Sequence, residues 1–144
     1  MSLQEEARFA VVVVGASRGI GRAMAKVVSR EQAVVVLVAR SSEGLAAAAA
    51  DVREAGGEAY TLELNVVAAD ASTRLRDFLS ANGLVCDVLI NSAGYGLRGA
   101  ATILPVEEQL GIVDLNIRAL TALTLHFLPE MAARRRGVWS ISAP

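Results

Sequence analysis

The chain has 144 residues, the length of one domain, enough to bury roughly two-thirds of the surface its unfolded form exposes. A formal net charge of −1 offers no field to hold a polyanion, which argues against nucleic acid as the main partner, and the lone Cys86 excludes an internal disulfide and a cysteine-based metal cluster. Apolar residues make up 53% of the sequence but fall in short bursts, none near the roughly 20 residues that span a bilayer, and the acidic Met1–Glu6 segment lacks the apolar run of a secretion signal, so a soluble cytoplasmic protein is expected.

The first burst, Val11–Val14, reads as a strand that runs into Gly15-Ala16-Ser17-Arg18-Gly19-Ile20-Gly21. A helix comes next, with Ile20, Ala23, Met24, Val27 and Val28 on one face and Arg22, Lys26 and Arg30 on the other. Such a strand–turn–helix junction leaves the first helical N–H groups unpaired at the positive end of the helix dipole, which favours an anion, usually a phosphate. The three glycines have separate uses: leaving the strand at unusual backbone angles, admitting a pyrophosphate to the backbone, and letting helix pack closely on strand. Their spacing predicts a longer turn than Gly-x-Gly-x-x-Gly.

Val34–Val38 is continuously apolar, as expected of a parallel strand covered on both faces. A helix over Glu43–Ala55 succeeds it, its alanine run from Ala46 to Ala50 reading as the middle of a surface helix. Strand Ala59–Leu64 leads through Asn65 to a helix over Asp70–Ala81, and strand Val88–Ile90 to a glycine-rich loop, Gly94–Gly99. A long helical stretch from Pro105 to about Arg135, with room for an interruption, carries Leu110, Val113, Ile117, Leu120, Phe127 and Met131 in one stripe. Arg134-Arg135-Arg136 reads as its solvated end, and His126, without a partner at metal-ligand spacing, as a packed or half-exposed histidine. Val138–Ile141 is the last apolar segment, and Cys86 is expected to be buried. Strict alternation of strand and helix predicts an α/β fold: a doubly wound parallel sheet of about five strands, helices on both faces, in a single domain over residues 1–144.

Gly15, Arg40, Asn65 and Asn91 all lie just past the carboxyl ends of predicted strands, where such sheets bind ligands. The second strand runs into Val38-Ala39-Arg40-Ser41-Ser42 with no acid at its tip to accept the ribose 2′-OH of NAD. Arg40, with Arg18 in the glycine turn on the opposite side, predicts NADP(H) instead.

These motifs resemble the short-chain dehydrogenase/reductase family, whose cofactor domain is a Rossmann-type fold, which implies the strand order 3-2-1-4-5. Gly15–Gly21 is similar to its cofactor turn, Asn65-Val66 stands where members have Asp-Val or Asp-Leu against adenine, Asn91-Ser92-Ala93-Gly94 resembles its Asn-Asn-Ala-Gly, and Asp114-Leu115-Asn116 its helical asparagine segment. Leu37–Ser41 and Phe127–Met131 resemble its NADP-preferring, broad-specificity branch. The resemblance implies a cofactor site of Gly15, Ser17, Arg18, Gly19, Ile20, Gly21, Arg40, Asn65, Val66, Asn91, Ala93 and Gly94. It also implies a role for Asn116 in catalysis, opening a helix distortion and holding a water in the proton relay. Independently, an amide beside the apolar stripe is costly unless satisfied. Two departures are mild: Asn65 would meet adenine through its amide oxygen, and Ser92 weakens a sheet-bracing contact.

Family chemistry is carbonyl reduction or alcohol oxidation on a small molecule, and it requires Tyr-x-x-x-Lys. Lys26 is the only lysine, with Arg22 four residues before it; Tyr60 belongs to a strand and Tyr95 to a loop. The reactive serine's place falls on Pro144, and Ser142, two residues early, is given no role. The sequence therefore reads as the cofactor-binding half of a reductase, as a natural truncation, a shifted reading frame or a short fragment would leave it, with negligible catalysis of its own. A non-catalytic NADP(H)-binding module or subunit, or a non-functional truncated fragment, is the alternative. An unprotected fifth strand predicts marginal stability, or self-association into a homo-oligomer.

Overall fold

The computed structural model describes residues 7–30 and 32–141. β-branched and other apolar bursts form the strands β1 (Arg8–Val14), β2 (Val34–Ala39), β3 (Glu58–Glu63), β4 (Leu84–Asn91) and β5 (Val138–Ile141). The helices are α1 (Gly19–Ser29), α2 (Ser42–Glu54), α3 (Ala71–Ala81), α4 (Val106–Val113) and α5 (Leu120–Arg134). All strand pairs are parallel, in the order β3-β2-β1-β4-β5. The sequence position considered for Ser142 lies outside the described residues.

The pleat divides each strand between two cores. Val12, Val14, Val36 and Val38 face one way, into a cluster with Leu75 and Leu79 of α3 and Leu123 and Phe127 of α5. Val13, Val35 and Leu37 face the other way, against Ala25 of α1 and Leu45, Ala48, Ala49 and Val52 of α2. The alanine run is divided between surface and core: Ala46 and Ala50 are exposed, while Ala48 and Ala49 are buried, and their small side chains let α2 lie close on the sheet. Arg22 of α1 pairs with Asp51 of α2 at 2.6 Å, and this hydrogen bond holds the Asp51 carboxyl below its ordinary range.

Three expectations are corrected. β4 begins at Leu84, not Val88, because its pairing with β1 skips a residue: Ala10 faces Cys86 and Val11 faces Val88. Asp87 is the extra residue of this bulge, and its charge hides the strand from an apolar-run reading. The arginine run is not simply solvated. Arg136 clasps Asp87 with bonds of 2.9 and 3.1 Å and lies 3.8 Å over the Phe9 ring, while Arg134 donates to the Cys86 carbonyl at 2.8 Å. Cys86 itself is buried as expected, which pushes its thiol up to about 12.

The third correction concerns the long helix. Val106–Arg134 runs for 29 residues and is, by length and composition alone, apolar enough to cross a membrane, against the expectation that no segment approaches that length. Charged residues divide its apolar positions, which hides that length from a reading by uninterrupted runs. Nor is its apolar stripe one surface. Leu120, Phe127 and Met131 are buried, whereas Leu110, Val113 and Ile117 are exposed at 52%, 45% and 59%. From Asp114 to Ala119, a stretch that includes Ile117 and ends just before Leu120, the helix is π-helical. A π turn carries one residue more than an α turn, which rotates the α5 side chains by about 100° relative to those of α4.

Candidate functional site

A cleft of ≈ 590 Å³ opens at the carboxyl ends of β1, β2 and β4, where the strand order reverses. Its floor is the glycine turn. Gly15 has φ +84°, and a Cβ there would stand 2.5 Å from the Ala93 nitrogen, so only glycine lets the turn lie against the loop after β4. Gly19 has φ +61° and opens the first turn of α1; a Cβ on it would meet no protein atom within 4 Å, because that side faces the cleft. No side chain caps the α1 N-terminus, and its first turn holds no acid. Those N–H groups and the positive end of the dipole are left for an anion.

Ser17, Arg18 and Ile20 join Gly15 and Gly19 along the floor, with Arg40 past β2, Asn65, Val66 and Val67 past β3, and Ala93 and Gly94 past β4. Arg18 and Arg40 are both exposed at the rim. Asn65 accepts a 3.2 Å bond from the Val67 amide through Oδ1, so that oxygen already closes a turn of its own.

Three residues of the expected set stand behind the wall. Gly21 packs against the turn: a Cβ on it would be 2.2 Å from the Gly15 carbonyl oxygen. Asn91 is fully buried, its Nδ2 donating to Thr124 Oγ1 at 3.1 Å, and so braces β4 against α5. Asn116, in the π-helical segment, receives the Tyr95 N–H at 3.1 Å on Oδ1 and donates from Nδ2 to the Tyr95 carbonyl at 2.8 Å. Both functions of its amide are spent on the backbone of one residue, which pins the loop after β4 to the long helix.

The sequence reading passed over the wall this pinning creates. Tyr95, Gly111, Asp114 and Leu115 also line the cleft. The Tyr95 hydroxyl donates to the Glu108 carbonyl at 3.2 Å, over Gly111, where a Cβ would come within 2.4 Å of that hydroxyl oxygen. A glycine between Leu110 and Ile112 in a helical pattern was the available signal, since it costs helix stability unless something packs there.

Fold and cleft together define a doubly wound α/β protein with a cleft at the switch point of the sheet. The family model described as short chain dehydrogenase matches residues 9–139, and the chain belongs to that family. The ketoacyl reductase HetN of Nostoc sp. is 36% identical over 128 residues, covering 88% of this chain and 44% of the relative. Among solved structures, a metagenomic short-chain oxidoreductase in complex with NADP superposes with a TM-score of 0.84 at 36% identity, covering 94% of this chain and 62% of that one. An NAD+-bound xylitol dehydrogenase gives 0.85 at 24% identity, covering 97% and 54%, a likeness of fold alone. The chain thus spans less than half the length of the curated relative and little more than half of these solved ones.

Proposed function

We propose that these residues form the NADP(H)-binding portion of an oxidoreductase that interconverts a carbonyl and an alcohol on a small molecule, in the cytoplasm. The observation that carries this reading is the uncapped N-terminus of α1 at the glycine turn, opening into the cleft between Arg18 and Arg40. When bound, the nicotinamide supplies the hydride. The chain's own part is to hold and orient it. The glycine turn receives the pyrophosphate, Arg18 and Arg40 neutralise the ribose 2′-phosphate, Asn65 and Val66 bound the adenine end, and Ala93 and Gly94 lie along the other end. Asn116 is assigned as a positioning residue acting through Tyr95. The bound NADP of the metagenomic relative supports the choice of cofactor.

Titration with NADPH is expected to saturate, and Arg40→Ala to weaken NADPH by about ten- to a hundred-fold, the value of roughly 1.5–3 kcal/mol for a charge-assisted contact, while leaving NADH unchanged. An unaltered preference removes Arg40 from the phosphate contact. No saturable binding at all overturns the reading.

The sequence's lack of Tyr-x-x-x-Lys favours a second role for these residues alone, as a non-catalytic NADP(H)-binding module or subunit. A carbonyl-reductase assay on the 144 residues is expected to show no turnover with NADPH. Rates typical of complete oxidoreductases, roughly 1–1000 per second, would show that the missing pair is dispensable.

A further inference from the structure

Gly44 stands in the first turn of α2, and nothing in its backbone calls for glycine: its φ is not among the positive ones. In such a place glycine is a poor choice, about 1 kcal/mol less favourable than alanine within a helix. The reason for it is space. A Cβ on Gly44 would stand 2.6 Å from Ser17 Cβ, 3.2 Å from the Ser17 carbonyl oxygen and 3.3 Å from Ser41 Oγ. The first of these is closer than carbon atoms approach, and the second is a backbone atom that cannot swing aside.

Those neighbours belong to both sides of the phosphate corner. Ser17 precedes Arg18 in the glycine turn. Ser41 comes directly after Arg40 and caps α2 by accepting the Gly44 N–H at 3.1 Å. Gly44 is thus the point where the first turn of α2 touches the glycine turn. From this geometry we infer that Gly44 is a positioning residue that seats the turn carrying Arg18 against the segment carrying Arg40, and so sets the preference for a 2′-phosphorylated cofactor. The inference rests on the NADP(H) reading of the cleft. An added methyl group pushes Ser17 and Arg18 away from α2, which loosens the two-sided grip on the 2′-phosphate more than the contacts at Gly15 or Gly19.

The test is NADPH and NADH affinity, with the melting temperature of the free chain, in Gly44→Ala, Ser17→Gly and the double variant. Gly44→Ala is expected to weaken NADPH about ten-fold and NADH clearly less, lowering the ratio of the two. In the Ser17→Gly background, where the 2.6 Å clash has no atom to meet and only the milder 3.2 and 3.3 Å approaches remain, Gly44→Ala is expected to cost clearly less, a coupling that a general loss of helix stability would not produce. If Gly44→Ala alone does not fold, the double variant is expected to fold and to bind NADPH within about three-fold of Ser17→Gly. An unchanged NADPH affinity in a folded Gly44→Ala, an equal loss for both cofactors, or the same loss with and without Ser17 overturns the inference. Failure of the unmutated chain to bind NADPH overturns the cofactor reading on which it stands, a result separable from the others.

Discussion

Gly21→Ala is expected to destabilise the chain by about 3 kcal/mol, lowering its melting temperature by roughly 10 °C, and to remove detectable NADPH binding. The new Cβ would lie 2.2 Å from the Gly15 carbonyl oxygen, 2.9 Å from its carbon and 3.2 Å from Ser92 Cβ. The first two are backbone atoms of the turn itself, so no rotamer change gives relief. Either α1 lifts from β1 or Gly15 is displaced. Gly15 in turn cannot retreat, because it already abuts Ala93 and Ser92. Gly19→Ala is the informative contrast, since its Cβ would meet no protein atom within 4 Å and the cost is confined to an alanine at φ +61°. Thermal melts of the two variants side by side, with NADPH titrations, check this: equal melting temperatures would mean that the close approach of α1 to the turn does not bear on stability.

Asn116→Ala is the second large effect. It deletes both hydrogen bonds to Tyr95 and strands an N–H and a carbonyl in a half-buried place, at a cost of about 2–3 kcal/mol. Tyr95 then loses its hold on the long helix except through its hydroxyl on the Glu108 carbonyl. The loop after β4 loosens at Ala93 and Gly94, and NADPH affinity falls with it. Hydrogen exchange at the Tyr95 amide separates this from a generic loss of stability. It is expected to accelerate more than exchange at the β1 amides; uniform acceleration would mean that the amide merely fills space.

The sheet is legible in the sequence because its strands are apolar bursts bounded by turns, and β2, buried along its whole length, is the plainest case. Alternation and handedness make the sheet parallel, while the order β3-β2-β1-β4-β5 is implied by the family resemblance and not by local pattern. Elsewhere local pattern is overridden by tertiary structure. Asp87 interrupts β4 because a bulge gives it to Arg136, and Ala48 and Ala49 of α2 are interior because a close helix needs small side chains. In the site, the glycine turn and both rim arginines announce themselves by type and spacing. Asn91 and Gly21 are equally visible by type but belong to the supports of the cleft, Gly111 shows only as a glycine inside a helical pattern, and Tyr95 and Gly44 escape a sequence reading because their importance lies in pairwise distances that no spacing rule contains.

The π-helical segment lets one continuous helix answer to two neighbours. Ahead of it, Gly111 faces the cleft, and from within it so do Asp114 and Leu115; behind it, Leu120, Leu123, Phe127 and Met131 close the core. An unbroken α-helix could satisfy one of these arrangements only by turning the other out of phase. Cleft and core are therefore tuned separately along a single rod, and a change of length between Asp114 and Ala119 would trade the shape of one for the packing of the other.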